Sequence, residues 1–242
     1  MTRGFVAALI LVTAAASALA KDDRAAERDR MVEAVRQMAA SIRDSIGDAG
    51  IDPRVLEALR SVPRHEFVPR EVSHLAYANR PLPIGLGQTI SQPFIVALMT
   101  DLLQVKPGDR VLEVGTGSGY QAAVLALLAR EVYSIEIVPE LARSAAVTLS
   151  RLGHANVATR IGDGYQGWEE HAPYDGIMVT AAPNHVPPAL VAQLKPGGRL
   201  VIPVGETFQD LMVIAKAADG TTTSKRIIPV RFVPLTRGGK PN

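Results

Sequence analysis

The sequence of 242 residues contains no cysteine, only one tryptophan and few aromatic side chains of any kind, 5% of the total. Without cysteine the chain forms no disulfide bond, no thiolate nucleophile and no zinc site built on thiolates. Its five histidines are scattered and show neither H-x-x-x-H nor H-E-x-x-H spacing. The sequence therefore gives no support for a metal site, and we expect no metal cofactor.

Neither sign of charge dominates, because 26 basic side chains stand against 24 acidic ones and the formal net charge is +2. A nucleic-acid-binding surface needs clustered lysine and arginine in excess. We therefore expect no nucleic-acid partner. Hydrophobic residues make up 47% of the chain and charged residues 21%, which is typical of a globular domain in water.

Long apolar runs are missing as well, except at the start of the chain. Residues 5–20 contain no charged side chain, follow Arg3 and end in an A-x-A pattern at 18–20. These three features together are typical of a secretory signal peptide. The run is also shorter than the ~20 residues that a membrane-spanning helix needs. We predict that residues 1–20 are a cleaved signal peptide, and that the mature protein is exported, to the periplasm, without stable membrane association.

The segment that follows predicts helices. Residues 21–50 are rich in charge and alanine, and apolar side chains recur at helical spacing from Met31 to Ile42. This pattern predicts a leading amphipathic helix. Asp52 and Pro53 then provide an N-cap and a first-turn proline for a second helix.

The rest of the chain, residues 51–242, suits one domain with two parts. Residues 51–103 supply helices and a loop, and residues 104–242 supply a sheet. Within the first part, residues 82–93 are rich in glycine and proline yet carry apolar side chains. Ordinary linkers are more polar, so we interpret this segment as a shaped loop that covers a site.

From residue 104 onward, short apolar runs alternate with segments rich in alanine and leucine. This alternation predicts parallel strands joined by crossover helices. Two later runs, 211–217 and 226–235, are separated by a short polar link, which predicts an antiparallel hairpin at one edge. We expect an α/β fold with a doubly wound, mostly parallel seven-stranded sheet and helices on both faces. The first five strands are predicted at residues 110–114, 131–137, 157–161, 174–180 and 199–204.

The clearest chemical signal is a glycine-rich turn between a strand and a helix. Residues 111–121 read VLEVGTGSGYQ, with Gly115, Gly117 and Gly119 in the turn. Glycines there let the backbone bend tightly and approach a ligand closely. A dinucleotide fingerprint would be G-x-G-x-x-G, but Tyr120 stands where the third glycine is needed. The spacing therefore disfavours an NAD-dependent oxidoreductase.

Three consecutive predicted strands each end in an acidic residue: Glu113, Glu136 and Asp163. The carboxyl ends of parallel strands meet at the edge where doubly wound sheets bind ligands. Glu136 is placed to accept hydrogen bonds from ribose hydroxyls, and Asp163 to reach an adenine amino group. Glu113 is placed to face the cationic part of S-adenosylmethionine, which has no phosphate and carries a sulfonium. The pattern predicts nucleotide-type binding.

The sequence resembles the protein-L-isoaspartate O-methyltransferase family of class I S-adenosylmethionine-dependent methyltransferases. G-x-G-x-G is shared with many methyltransferases, whereas GQTISQP at 87–93 is much more specific to this family. The resemblance covers most of residues 52–236. Its segments lie at 62–68, 82–85, 88–93, 111–121, 162–164, 179–183, 203–205 and 231–236.

The resemblance implies a Rossmann-like methyltransferase fold with S-adenosyl-L-methionine as cofactor. It implies methyl transfer to the free α-carboxylate of an L-isoaspartyl residue in a damaged protein or peptide. The methyl ester then collapses to a succinimide, which can reopen as normal aspartate. Repair enzymes of this family are usually cytosolic, so a cytoplasmic location is the alternative to export. We expect a monomer.

The resemblance also implies roles for individual positions. Ser91 matches the active-site serine of the family, while Thr89, Ile90 and Thr236 are implied to contact the substrate. A carboxylate with a pKa near ~4 is already anionic at neutral pH, so no general base is required. Ser91 is expected to orient it through a hydrogen bond. The positions implied to contact the cofactor are Glu113, Gly115, Gly117, Glu136, Asp163 and Gly164.

Other interpretations remain open. The chain could methylate another carboxylate or a small molecule, or it could bind the cofactor without turnover. The retained Ser91 loop argues against a module without turnover. For Ser91 itself the alternative is a structural one, capping of the turn before Pro93.

Overall fold

The computed structural model describes residues 24–46 and 50–237. The predicted signal peptide, residues 1–20, lies outside the described residues. Within those two described ranges, every helix is too short or too polar to cross a membrane.

Two helices lead the described chain, α1 (Ala25–Ser41) and the short α2 (Arg43–Ile46). The apolar stripe predicted for this segment faces the core, because Met31 and Val35 are buried. Met38 lies at the edge of the stripe and is 37% exposed. The helix therefore packs along one face only, as its amphipathic pattern predicts.

The next helix, α3 (Pro53–Ser61), begins where the sequence predicts. The Asp52 side chain accepts a hydrogen bond from the backbone N–H of Arg54 at 2.7 Å, and Pro53 occupies the first turn. The aspartate satisfies one of the backbone donors that a helix start leaves unpaired.

The proline- and glycine-rich segment is more ordered than a loop. It forms a small two-stranded antiparallel sheet of β1 (Leu82–Gly85) and β2 (Gln88–Ile90), separate from the main sheet. The helix α4 (Pro93–Leu103) follows, where the sequence pattern predicts a loop leading into the sheet domain and no helix. Pro93 in its first turn was the available signal.

The main sheet has seven strands in the order β5-β4-β3-β6-β7-β8-β9. The five strands from β5 to β7 are parallel, and β8 and β9 continue the sheet antiparallel at one edge. This confirms the predicted α/β fold with a mostly parallel sheet and an edge hairpin. The strands are β3 (Arg110–Val114), β4 (Glu131–Glu136), β5 (Val157–Ile161), β6 (Tyr174–Val179), β7 (Leu194–Gly205), β8 (Gln209–Lys216) and β9 (Thr222–Val230).

Helices cover both faces of this sheet, because side chains of a strand alternate between its faces. On β3, Val111 belongs to the core that contains α1, α3, α4 and α5 (Tyr120–Ala126). Leu112 belongs to the second core, which contains α7 (Pro188–Gln193). The helix α6 (Pro139–Arg151) contributes Leu149 to the first core and connects β4 to β5.

The edge hairpin differs from its prediction at 226–235, because β9 begins earlier and ends at residue 230. Thr222 and Thr223, assigned to the link, pair with β8 instead, as β-branched residues favour strands. Residues 231–237 leave the sheet and form what we call the C-terminal strap. Leu235 donates its backbone N–H to the carbonyl of Ala182 at 2.9 Å, which ties the strap beside β6.

Strand order places a ligand cleft at the carboxyl ends of β3 and β6. From β3 the chain proceeds to β4 and β5 on one side, and it then returns to β6 on the other. The backbone N–H of Thr180, just after β6, donates to the carbonyl of Val114 at 2.9 Å. A reversal of this kind is the topological switch point at which doubly wound sheets bind ligands.

Candidate active site

The glycine-rich turn lies at this switch point, between β3 and α5, and its shape depends on glycine. Gly115, Gly117 and Gly119 have φ angles of 98°, 54° and 92°, a region that residues with a Cβ rarely adopt. A Cβ on Gly115 would also collide with Oγ1 of Thr180. That hydroxyl donates to the carbonyl of Gly115 at 2.6 Å, so the turn and the end of β6 are joined directly.

Glu136 joins the turn to the end of β4. One carboxylate oxygen accepts the backbone N–H of Gly117 at 2.8 Å, and the other accepts that of Val138 at 2.9 Å. The side chain lines the cleft beside the turn. A carboxylate has about four acceptor positions, so two remain for hydroxyl groups of a ligand.

The cleft itself spans about 550 Å³, part of it open to solvent, and combines this acid with apolar walls. Gly164 lines it after β5, at a point where a Cβ would collide with the Val114 side chain. Thr236, which the resemblance implies to contact the substrate, instead lines this cleft from the C-terminal strap. Gly115, Gly117, Glu136, Gly164 and Thr236 are therefore brought together. The apolar walls are Val114, Ile135, Ile137, Val138, Val233 and Leu235.

Asp163, by contrast, is not among the residues that line this cleft, although it directly precedes Gly164, and it is partly exposed. Its side chain accepts the backbone N–H of Tyr165 at 2.9 Å and so caps a short 3-10 turn. The Tyr165 hydroxyl donates to the carbonyl of Leu235 at 3.3 Å, and the Arg237 guanidinium lies 4.3 Å from its ring centre. Tyr165 therefore holds the C-terminal strap against the cleft.

Glu113 occupies a different place from the one expected. Its side chain is fully buried, accepts a hydrogen bond from the Ser134 hydroxyl and is absent from the lining of the cleft. Ser134 is in turn hydrogen-bonded to Thr116 of the turn at 2.6 Å between hydroxyl oxygens. Burial raises the pKa of Glu113 to about 8, and nearby Glu136 adds to the effect. In this arrangement Glu113 supports the turn from beneath and does not face the sulfonium.

Ser91 lies between β2 and α4, on the wall of a second cavity. This larger cavity, about 990 Å³, is also lined by Thr89 and by Arg231 and Phe232 of the C-terminal strap. Thr89 and Thr180 line both cavities, which are therefore neighbours.

A narrow recess connects the serine with the glycine turn. Thr89, Ile90, Ser91 and Gly117 all line it. Ile90 is otherwise buried, with only 4% of its surface exposed. The β2 residues predicted to contact the substrate therefore lie beside the glycine turn.

Two residues of this site were missed by sequence reasoning, Arg64 and Thr180. The guanidinium of Arg64 donates to the backbone carbonyls of Ala76 at 2.8 Å and Ser91 at 2.7 Å. Arg64 was visible only as a member of the family-like segment 62–68. Thr180 lies in the family-like segment 179–183, and no local pattern there indicates that its hydroxyl meets Gly115.

Comparisons with known proteins point to one family. The family model described as protein-L-isoaspartate(D-aspartate) O-methyltransferase (PCMT) matches residues 40–240. Protein-L-isoaspartate O-methyltransferase 1 of Cupriavidus necator is 58% identical over 95% of this chain and 90% of that protein. Protein-L-isoaspartate O-methyltransferase 2 of Syntrophobacter fumaroxidans is 56% identical over 98% of each chain.

Solved structures of the same family also match this chain, at lower sequence identity. One described as a protein-L-isoaspartate O-methyltransferase is 28% identical, with a TM-score of 0.75, over 86% of this chain and 66% of that one. A Plasmodium falciparum structure described as a protein-L-isoaspartate O-methyltransferase was solved in complex with S-adenosyl-L-homocysteine. It is 27% identical, with a TM-score of 0.72, over 87% of this chain and 99% of that one.

Proposed function

The chain belongs to the protein-L-isoaspartate(D-aspartate) O-methyltransferase family, and from this premise we propose how its two cavities divide the reaction. The protein transfers a methyl group from S-adenosylmethionine to the free α-carboxylate of L-isoaspartyl residues in damaged proteins and peptides. The cleft beside the glycine turn holds the cofactor, and the cavity beside Ser91 holds the peptide. The single observation that supports this division is that Thr89 and Thr180 line both cavities.

The cleft fits S-adenosylmethionine by the chemistry of its lining. Two free acceptor positions on Glu136 suit a pair of ribose hydroxyls, and the apolar walls at Ile137 and Val138 suit a flat adenine ring. The turn at Gly115 gives the close backbone approach that the amino-acid part of the cofactor needs. When bound, the cofactor supplies a methyl group on a sulfonium, which is a good leaving group.

The peptide side of the site needs few catalytic groups. The acceptor carboxylate has a pKa near ~4 and is already a nucleophile at neutral pH. Ser91 donates a hydrogen bond that orients this carboxylate toward the recess at Thr89 and Gly117. Holding two reactants in attack geometry can be worth about 7–11 kcal/mol, so positioning is the main contribution of the protein.

Glu113 acts on the cofactor indirectly in this proposal. Through Ser134 it reaches Thr116, one residue beyond Gly115, and so fixes the base of the glycine turn. Asp163 acts indirectly as well, because it caps the turn that places Tyr165 against the C-terminal strap.

The proposal is tested with two peptides of one sequence, one carrying L-isoaspartate and the other L-aspartate. Methyl transfer is followed by release of methanol as the ester collapses. We expect release from the isoaspartyl peptide and essentially none from the aspartyl peptide. Equal release from both would favour a methyltransferase for another carboxylate. Binding of S-adenosylhomocysteine without any release would favour a module without turnover.

We also propose that residues 1–20 direct export of the protein. The support is the basic, apolar and A-x-A pattern of that segment. Amino-terminal sequencing of the protein from a host with a secretion pathway should find Lys21 first. Retention of Met1 or Thr2, with the protein in the cytoplasmic fraction, would contradict export.

A further inference from the structure

Arg64 is a buried cation that the reaction described above does not use. None of its surface is exposed, and none of the ion pairs among the described residues includes it. Two of its guanidinium nitrogens donate to backbone carbonyls, and Nη1 has no hydrogen-bond partner within the described residues. Burial lowers the pKa of Arg64 to about 10, so it still carries its charge at neutral pH.

A buried charge without a paired acid is costly for folding, and apolar side chains of similar volume often replace buried ions without loss of stability. The partners of Arg64 point to what the charge does instead. Its planar fork spans the carbonyl of Ala76, before β1, and the carbonyl of Ser91, after β2. The chain before the small two-stranded sheet and the chain after it are thus held by one side chain.

The flat face of the guanidinium packs against a residue of the cofactor half of the site. Its central carbon lies 4.7 Å from the ring centre of Tyr120, the first residue of α5, directly after Gly119. Tyr120 is itself 1% exposed, so the ring is fixed in the core. An arginine over an aromatic ring gains a cation–π attraction, which is stronger when the pair is desolvated. Arg64 therefore contacts the Ser91 segment and the end of the glycine turn at once.

We propose that Arg64 is a positioning residue that sets the distance between Ser91 and the glycine turn. The inference rests on the proposed function, because it gives Ser91 the task of orienting the substrate carboxylate. The small sheet of β1 and β2 has no strand pairing with the main sheet. The hydrogen bond from Arg64 to the Ser91 carbonyl therefore holds this segment in place, as strand pairing does elsewhere in the fold.

The first test replaces Arg64 by lysine in the full chain. Lysine keeps the charge but has no rigid fork to span two carbonyls. Turnover of the isoaspartyl peptide is normalised to the amount of protein that binds S-adenosylhomocysteine, so that an unfolded fraction does not contribute. We expect kcat of Arg64→Lys to fall about 10–100-fold, because small displacements of reacting groups have effects of that size. Affinity for S-adenosylhomocysteine should stay within about threefold of the wild type, a difference under about 1 kcal/mol.

The matched control is Arg54→Lys, since Arg54 is an exposed arginine that also pairs locally, with Asp52. A second pair of variants tests the other contact. Tyr120→Phe keeps the ring under Arg64 and Tyr120→Leu removes it, so kcat should be lower in Tyr120→Leu than in Tyr120→Phe.

A normalised kcat for Arg64→Lys within about twofold of Arg54→Lys would overturn the proposal. A proportional loss of S-adenosylhomocysteine binding and turnover would also overturn it, because a purely structural role predicts that result. If Arg64→Lys fails to fold, equal kcat values for Tyr120→Phe and Tyr120→Leu overturn the proposal, and a lower value for leucine supports it. Failure of the function itself is distinct, since the wild type would then release no methanol from the isoaspartyl peptide.

Discussion

The two halves of the proposed site are built in different ways. The cofactor half, around Gly115 and Glu136, is shaped by backbone: glycines with positive φ, and a carboxylate held by backbone N–H groups. The peptide half, around Ser91, lies on a small separate sheet that side chains hold in place. Arg64 anchors Ser91, and Asn79 accepts the backbone N–H of Phe94 at 3.0 Å at the start of α4.

This difference follows from what each half must bind. A single cofactor has one shape, so a rigid backbone cradle suits it and leaves little freedom in the sequence. Damaged proteins present isoaspartate within many sequences, so the peptide cavity must be wide and must recognise one carboxylate. Changes to the first half should therefore weaken binding of the cofactor, and changes to the second should affect turnover alone.

The largest effect is expected from Gly115→Ala in the cofactor half. Its Cβ collides with Thr180, and its φ of 98° is unfavourable for alanine. We expect the affinity for S-adenosylhomocysteine to fall by about 100-fold or more, since strained backbone and a steric clash together exceed ~2 kcal/mol. Isothermal titration calorimetry measures this. Gly220→Ala is the control, because Gly220 has a φ of 85° but, its chain neighbours aside, nothing within 4 Å of the place where a Cβ would lie. Equal affinity of the two variants for S-adenosylhomocysteine would show that the Thr180 contact is unimportant.

The next effect is expected from Ser91→Ala in the peptide half. Loss of a hydrogen bond to a charged carboxylate costs about 1.5–3 kcal/mol, so kcat should fall about 10–100-fold. Steady-state methanol release measures it, with Ser61→Ala on the exposed end of α3 as the control. Unchanged kcat would remove Ser91 from the reaction and leave it the turn-capping role.

A smaller effect is expected from Glu136→Gln. The amide has a single acceptor oxygen, so it cannot accept both N–H groups that Glu136 now holds and still serve ribose hydroxyls. We expect S-adenosylhomocysteine to bind about tenfold more weakly, the loss of about one hydrogen bond. Glu140→Gln, exposed in the first turn of α6, is the control. Full affinity in Glu136→Gln would place the ribose elsewhere.

The smallest effect on activity is expected from Glu113→Gln, which should instead change the pH dependence of stability. The folded pKa of Glu113, about 8, lies above the unfolded value, so the folded state binds this proton more tightly. The resulting stability is fully present below about pH 4 and is lost as the pH rises toward about 8. Urea unfolding between about pH 5 and about pH 8 should show the wild type losing at least about 1 kcal/mol relative to Glu113→Gln. If the free energy of unfolding changes with pH equally in the two proteins, Glu113 is not a buried protonated carboxyl.

The sequence predicts the cofactor half better than the peptide half, for physical reasons. Strand alternation and the glycines at 115 and 117 are local signals, and they predict both the sheet and the turn. The orientation of Glu113 can be predicted from the sequence, because side chains of a strand alternate and Glu113 must point to the sheet face opposite Val114. The role of Arg64 cannot be predicted from local sequence, because its hydrogen bond to Ser91 joins residues 27 positions apart. The same holds for Thr180, which meets Gly115 across 65 positions.

The most direct test of two separately built halves is to measure cofactor affinity and turnover on the same preparations of wild type, Gly115→Ala and Ser91→Ala. S-adenosylhomocysteine affinity is measured by calorimetry, and turnover by methanol release from the isoaspartyl peptide. We predict that Gly115→Ala loses both properties and that Ser91→Ala keeps the affinity while it loses turnover. Loss of S-adenosylhomocysteine binding in Ser91→Ala, or its retention in Gly115→Ala, would contradict the division of the site.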